Sequence, residues 1–392
     1  MKQLLNKYVD KIVNQGLSKK ENIIFGAEDV DFVWAPEFKE TKRLKKILAS
    51  LNITSLLFVK PLEPYFSIIN ILGKEALAKD GFIKPEDTET RTFLHQIPVV
   101  KRFSYSLVLK GLKQHKGVII PGKGIITFGS LSPEQAFINF SSICFSTYVK
   151  FFTDYFYSLE SQSELQIKRK KVIDQALQSY EKFIVSDFVL PSLEQGPLNS
   201  EYKIKKAMVQ AGELTVRSRL VDSFFGNVSC FYKNQIYISQ TSSSLDELDN
   251  YIVACPLDNS RTTPIIASSE FSAHKKIYQR TKNKTILHGH PKMAVIISML
   301  CEEKDCSNKG KCHLRCSRKR FIDDIPIVPG EVGTGSTGLC QTLPQALKGK
   351  GAIVYGHGLF TVGKIDFTEA LNSLIEIEIN CLQKYKEKVG LV

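Results

Sequence analysis

The sequence has no long uninterrupted apolar run and no recognisable secretion signal. No apolar stretch in its 392 residues approaches the roughly 20 that an α-helix needs to cross a bilayer. The first ten residues, MKQLLNKYVD, contain no small-residue cleavage site, and their apolar spacing predicts an amphipathic helix. These absences exclude a membrane-spanning protein and favour a cytoplasmic protein with no membrane partner.

Recognised nucleic-acid-binding motifs are also missing, although the net charge is +13. Basic residues are scattered, and the densest run, residues 168–171 (KRKK), falls in a predicted exposed helix where a solvated charged face explains it. We therefore predict no nucleic-acid partner and expect the positive charge to assist capture of small anionic substrates. The hydrophobic share of 43% and charged share of 24% are typical of globular proteins, and the length allows two or three domains.

Two closely spaced histidines, His288 and His290, suggest a metal site. Residues two apart in a strand project from the same face, and the apolar Ile286 and Leu287 just before the pair suit a buried strand. His357 stands between two glycines, where the backbone can turn tightly. Three imidazoles provide the protein ligands of a catalytic zinc with one open position. From the residues alone, a polar strand edge or a hydrogen-bonded core pair remains an alternative.

Four ordered motifs then identify a family resemblance over residues of about 202 to 390. They are Gly226 to Ser229, Ser268 to Glu270, His288 to Pro291, and Gly356 to Gly358. Together they resemble the class II aldolase and adducin-like family, whose zinc enzymes include fuculose-phosphate aldolases. The resemblance implies an α/β/α three-layer fold with a mostly antiparallel central sheet, and a homo-oligomer.

The same resemblance implies a role for each matching residue. His288, His290 and His357 would bind catalytic Zn²⁺, and Glu270 would be the catalytic acid/base. The family's phosphate contacts fall on Asn227, Thr241, Ser268 and Ser269. Without the resemblance, the favoured explanations are a turn asparagine for Asn227 and helix capping for the two serines. The sequence departs from the family at Ser242, which replaces a glycine of the phosphate loop.

The implied activity is that of a lyase. A zinc-dependent aldolase of this family cleaves or forms a C–C bond in a small, phosphorylated ketose or keto acid through an enediolate. A sugar-phosphate epimerase or dehydratase uses the same zinc site and is the first alternative. A non-catalytic, adducin-like assembly module is the second.

An internal repeat predicts a tandem arrangement. Residues 117–129 align without a gap to residues 351–363 at an offset of 234, and an amphipathic helix follows both. Residues 93–98 also resemble residues 286–291, at an offset of 193. We therefore predict a degenerate aldolase-like domain without a metal site at residues 1–195, and a catalytic domain at residues 196–392. On this alignment His95 keeps one ligand position, whereas Ile97 and Lys123 replace the others.

A cysteine-rich segment predicts a second metal site. The two offsets differ by 41 residues, which indicates an insertion in the second copy at about residues 300–320. Four of the nine cysteines lie there: Cys301, Cys306, Cys312 and Cys316. Such clustering without a secretion signal favours a structural Zn²⁺ or an iron–sulfur cluster, although the spacing matches neither the usual zinc ribbon nor the usual ferredoxin pattern. Reduced thiols or disulfides are the alternatives.

Overall fold

A computed structural model describes most of the chain, in nine segments: residues 1–29, 32–35, 41–161, 163–187, 192–221, 224–258, 260, 262–303 and 305–391. These residues form two units, which we call unit 1 (Met1–Ala176) and unit 2 (Leu177–Val392). The division lies earlier in the chain than the boundary expected near residue 195, and the identity of the two domains stays a prediction. Within the described segments, no helix combines the length and apolar character that crossing a membrane requires.

In its described residues, unit 2 contains eight strands and five α-helices of its own, after the end of a helix that begins in unit 1. The strands are β8 (Asn227–Tyr232), β9 (Gln235–Ser239), β10 (Ile252–Pro256), β11 (Thr285–Gly289), β12 (Arg320–Ile322), β13 (Ile325–Val328), β14 (Gly351–Val354) and β15 (Gly358–Gly363). The helices are α7 (Glu201–Arg217), α8 (Phe271–Arg280), α9 (Lys292–Met299), α10 (Leu339–Ala346) and α11 (Phe367–Lys388).

The sheet of unit 2 is the central layer of three. Its strand order is β10-β9-β8-β11-β15-β14-β13-β12, and every neighbouring pair is antiparallel except β13 with β14. Alternate residues of β11 and β15, such as Ile286 and Phe360, form one core with α8 and α10. The opposite face packs against α7, α9 and α11. The expected α/β/α layering with a mostly antiparallel sheet is confirmed.

Unit 1 is built around a smaller sheet. Its strands are β1 (Ile23–Glu28), β2 (Phe32–Ala35), β3 (Ser55–Val59), β4 (Phe82–Ile83), β5 (Ile97–Pro98), β6 (Gly117–Ile120) and β7 (Gly124–Gly129). Its helices are α1 (Lys2–Asn14), α2 (Thr41–Leu48), α3 (Tyr65–Leu77), α4 (Tyr105–Leu112), α5 (Pro133–Tyr157) and the start of α6 (Glu164–Glu181). The main sheet has the order β2-β1-β3-β7-β6 and is antiparallel throughout, while β4 and β5 pair separately.

The hairpin repeat at offset 234 has the same register in both units. Gly117 pairs with Thr127 as Gly351 pairs with Thr361. The threonine hydroxyl then donates to a carbonyl in the following helix in each copy, from Thr127 to Ala136 at 2.7 Å and from Thr361 to Ala370 at 2.8 Å. This strand–turn–strand–helix unit therefore occurs twice in the chain.

The second alignment, at offset 193, is wrong. Residues 90–94 form a π-helical turn, and His95 is exposed with a left-handed φ of 65°. The strand beside β7 is instead β3, which pairs Ser55 with Gly129 as β11 pairs Thr285 with Gly363. The six-residue sequence match did not predict the strand pairing, because pairing depends on contacts between residues that are far apart in the chain.

The corrected register changes two expectations. In unit 1, the residues equivalent to His288 and His290 are Phe58 and Lys60 rather than His95 and Ile97. The residue equivalent to His357 is still Lys123. Gly117 lies 62 positions after Ser55 and Gly351 lies 66 after Thr285, so these segments differ by four residues and not by 41. The cysteine-rich segment is therefore not explained by a long insertion.

A buried carboxylate anchors the helix that follows the histidine pair. Glu378 of α11 accepts hydrogen bonds from the backbone N–H groups of Met293 and Ala294, both at 2.8 Å, and from the Tyr180 hydroxyl at 2.7 Å. The N–H groups at a helix start otherwise lack partners, so Glu378 caps α9 from another helix. Burial nevertheless raises the pKa of Glu378 to about 7.

We expect the stability of unit 2 to fall between pH 4.5 and 7.5 because of Glu378. A raised carboxyl pKa in the folded state means that stability is fully present below the ordinary value of 4.5 and is lost as the pH rises through about 7. The loss relative to E378Q should be about 3 kcal/mol, measured by urea unfolding across this pH range. The control E376Q, which removes an exposed carboxyl of the same helix, should keep the wild-type pH slope.

Candidate functional site

Strand β11 carries His288 and ends immediately before His290. Both faces of the strand are covered, since Ile286 and Leu287 are fully buried. The Nδ1 atom of His288 lies 3.1 Å from the carbonyl oxygen of Leu359, which requires the ring proton on Nδ1. The Nε2 atom of His288 therefore presents its lone pair to the site.

His357 comes from the turn between β14 and β15. Gly356 has a left-handed φ of 61°, and its N–H donates to the Ser298 hydroxyl at 2.9 Å. The N–H of His357 donates to the Val354 carbonyl at 3.0 Å, which closes the turn. The tight turn explains why a glycine precedes the histidine.

The three imidazoles converge. Their ring centroids are 5.0, 5.1 and 5.0 Å apart for the pairs His288–His290, His288–His357 and His290–His357. In the described part of the chain, these residues are the one group of three or more His, Cys, Asp or Glu whose ligand atoms lie within 4.8 Å of one another. The sequence-based grouping of these histidines agrees with this geometry.

The chemistry of the donor set fits zinc. The Nε2 atoms of His288 and His290 are 3.2 Å apart, and a tetrahedral zinc with bonds near 2.0 Å places two nitrogens about 3.3 Å apart. All three side chains are at most 4% exposed. Burial lowers the pKa of His288 to about 3 and that of His290 well below its ordinary value, which keeps these rings neutral as metal ligands must be.

Glu270 faces this triad from the start of α8. Its Oε1 atom lies 3.2 Å from Nε2 of His357, and its Oε2 atom lies 3.5 Å from Nε2 of His288. The side chain is 5% exposed. Burial raises its pKa, while the charge of His357 and the hydrogen bond from Asn227 act in the opposite direction. A carboxyl group with a raised pKa beside a metal site can move protons.

The expected phosphate contacts divide into two groups. Asn227 and Ser268 are buried and contact Glu270: the Asn227 amide donates to Oε2 at 2.7 Å, and the Glu270 N–H donates to the Ser268 hydroxyl at 3.3 Å. Thr241 and Ser269 are exposed. An antiparallel bridge between Gln240 and Ala267 pairs the two segments, with Thr241 opposite Ile266 and Ser268 opposite Ser239.

Two aromatic rings at the site were not expected. Phe360 stacks on His288 with centroids 3.8 Å apart and an angle of 11°, and Phe225 stacks on His290 at 5.8 Å. Phe360 is the direct partner of His288 in the β11–β15 register. Once that strand pairing is known, cross-strand adjacency predicts the contact, but the sequence does not contain the pairing.

The cysteine segment does not form a comparable group. Cys301, Cys306 and Cys316 line one cavity of about 270 Å³, and all nine cysteines are free thiols. Burial is the main cause that raises the pKa of Cys312. No three of the described cysteine sulfurs lie within 4.8 Å of one another. A second metal site at Cys301, Cys306, Cys312 and Cys316 therefore stays a prediction.

Gly358, which follows His357, packs closely against His288 and His290. A Cβ atom there would lie 2.5 Å from the Gly289 carbonyl oxygen, 2.7 Å from Cε1 of His288 and 2.8 Å from Cδ2 of His290. We expect G358A to displace both rings and weaken zinc binding about 10- to 100-fold, measured by competition with a chelating dye. G349A is the control, because its Cβ meets nothing within 4 Å. Equal zinc affinity in the two variants would contradict this account of the packing.

Comparisons with known proteins agree with the fold. Residues 206–385 match the family model of the class II aldolase and adducin N-terminal domain. No curated protein matches the chain.

Solved structures of aldolases and of a class II aldolase domain are similar to part of the chain. L-fuculose-1-phosphate aldolase from Thermus thermophilus is 22% identical, with 48% of this chain and 93% of that chain covered and a TM-score of 0.36. A sugar-phosphate aldolase from Thermotoga maritima is 17% identical, with 48% and 96% covered and a TM-score of 0.37. The N-terminal class II aldolase domain of a conserved Thermoplasma acidophilum protein is 14% identical, with 50% and 99% covered and a TM-score of 0.34.

Proposed function

We propose that this protein is a zinc-dependent aldolase, because residues 206–385 match the family model of the class II aldolase and adducin N-terminal domain. It cleaves or forms a C–C bond in a small, phosphorylated ketose or keto acid. One observation carries the proposal: a buried carboxylate lies 3.2 and 3.5 Å from two of three converging imidazoles. An assembly module has no need of this arrangement.

His288, His290 and His357 would hold the zinc ion. Three neutral nitrogen ligands leave one coordination position for substrate. When bound, zinc supplies a Lewis acid that stabilises negative charge developing on a substrate carbonyl oxygen. The hydrogen bond from Nδ1 of His288 to Leu359 orients that ring so that Nε2 faces the site.

Glu270 would move the proton. In a retro-aldol reaction the bond between the α- and β-carbons breaks, the β-hydroxyl loses its proton and becomes a carbonyl, and the α-carbon gains a proton. The carboxyl group of Glu270 can accept a proton from the β-hydroxyl and return one to the α-carbon, and burial raises its pKa. Its burial excludes water that would compete for the same proton.

Thr241, Ser268 and Ser269 would contact the substrate phosphate. The bridge between Gln240 and Ala267 supports this proposal, since it holds the two short segments side by side. Ser242 adopts a φ of 59°, the left-handed conformation that glycine favours, so the loop keeps a turned backbone despite its serine. Hydroxyl groups in such a turn can donate to phosphate oxygens.

The test is a substrate screen with the zinc-loaded protein. Ketose 1-phosphates, their unphosphorylated forms and keto acids are incubated singly, and products are identified by NMR. Release of an aldehyde together with a three-carbon ketone or keto acid supports the aldolase. An epimer or a dehydrated product would assign the same site to an epimerase or dehydratase. If no compound reacted and the zinc content did not depend on His288, an adducin-like assembly role would replace the proposal.

A further inference from the structure

Asn227 is held beside the metal triad by strand pairing. It begins β8 and is the direct cross-strand partner of His288 on β11. The preceding Gly226 has a φ of 153°, and a Cβ atom there would lie 2.7 Å from the His288 carbonyl oxygen. This close backbone approach sets the position of Asn227 relative to His288 before any side chain is considered.

The side chain of Asn227 is hydrogen-bonded to Glu270. It is 4% exposed, and its Nδ2 atom donates to Oε2 of Glu270 at 2.7 Å. The assignment of N and O in this amide follows from chemistry, because a carboxylate accepts and does not donate. Hydrogen bonds to an ionised, buried acceptor are stronger than neutral ones.

The other two contacts of this carboxylate depend on the state of the imidazoles. They run to Nε2 of His288 and Nε2 of His357. A neutral histidine that binds a metal through Nε2 uses its lone pair there and has no hydrogen on that atom to donate. Of the described side-chain contacts of Glu270, the bond from Asn227 alone keeps its donor when the triad binds metal.

We infer that Asn227 is a positioning residue that holds the Glu270 carboxylate in place for proton transfer, rather than a phosphate contact. This inference rests on the proposed function. It reassigns the role that the family resemblance implies for Asn227, because the amide group is only 4% exposed and already donates one of its two N–H groups to Glu270. Loss of this bond should affect the proton-transfer step and leave phosphate binding intact.

The contact is tested first in the metal-free protein, where no activity is needed. N227L keeps a similar volume and has no side-chain N–H, and E270A removes the acceptor. In a double-mutant cycle, N227L should lower the urea midpoint in the wild-type background and lower it less in the E270A background. Equal shifts in the two backgrounds would overturn the inference.

The matched control is N139A in unit 1. Asn139 is 5% exposed, and its Nδ2 atom donates to the Phe128 carbonyl oxygen at 2.7 Å, so it is also a buried amide with one strong bond. Its substitution should give the same midpoint shift with and without E270A. A dependence on E270A would show that the cycle reports general destabilisation, which would overturn the inference as well.

Kinetics then separate positioning from phosphate binding. N227L should lower kcat about 10- to 100-fold, with KM and the inhibition constant of inorganic phosphate within about twofold of the wild type. A raised KM and weaker phosphate inhibition at unchanged kcat would overturn the inference. If the wild-type protein turned over no substrate, the proposed function would fail, while the metal-free cycle would still decide whether Asn227 holds Glu270.

Discussion

We expect the H288A variant to lose one equivalent of zinc and the proposed lyase activity to fall on the order of 10³-fold or more. His288 supplies a ligand from a rigid strand, and its ring is fixed by the hydrogen bond to Leu359 and by stacking on Phe360. Removal of one of three protein ligands leaves two imidazoles, which do not complete a catalytic zinc site. Zinc is measured by mass spectrometry after desalting, and lyase activity by the substrate assay.

A second buried histidine provides the control for H288A. His274 on α8 is fully buried, and burial lowers its pKa to about 3. Its Nδ1 atom bonds to the Ser229 hydroxyl at 2.7 Å, outside the triad. H274A should therefore destabilise the fold but retain the full zinc content. If H288A kept the zinc content of the wild type, His288 would not be a zinc ligand and the proposed metal site would be rejected.

We expect the E270Q variant to keep its zinc and, because Glu270 is the proposed proton carrier, to lose about 10²- to 10⁴-fold in kcat. An amide of the same shape cannot accept a proton and return it. The three proposed zinc ligands, His288, His290 and His357, are unchanged in this variant. The side chain is 5% exposed, so water does not readily replace it. The measurement is steady-state kinetics with zinc content determined on the same sample.

E369Q is the control for E270Q. Glu369 is likewise a glutamate near a helix start whose carboxylate accepts a hydrogen bond, in this case from the Lys364 N–H at 2.7 Å. Glu369 lies in the first turn of α11, which follows Gly363 at the end of β15. Gly358, next to His357, is at the other end of that strand. The kcat of E369Q should equal that of the wild type. Retention of full kcat in E270Q would assign the proton transfer to another group, and loss of zinc would make Glu270 a ligand instead.

The candidate site was largely predictable from local motifs. His288, His290, His357 and Glu270 each belong to a short motif, and residues two apart on a strand share a face whatever the rest of the fold does. The repeat of residues 117–129 at residues 351–363 was found in the same way, since it is an ungapped match between two short segments. These predictions needed only short stretches of chain.

The failed alignment of residues 93–98 shows where local reasoning ends. The apolar string around His95 resembles that around His288, but the first lies in a π-helical turn and a two-residue strand. The strand that occupies the equivalent place, β3, lies about forty residues earlier and shares little sequence with β11. Its identity depends on pairing with β7, which only the folded chain provides.

The amino-acid sequence alone determined which side chains can bind zinc and move a proton, because these properties reside in imidazole and carboxyl groups and in their spacing along one segment. Tertiary structure decided how those groups meet. It placed Asn227 opposite His288, Phe360 against the His288 ring, and Glu378 under the start of α9. Such contacts join residues far apart in the chain, and they exist only when burial of the sheet faces fixes the order and register of the strands.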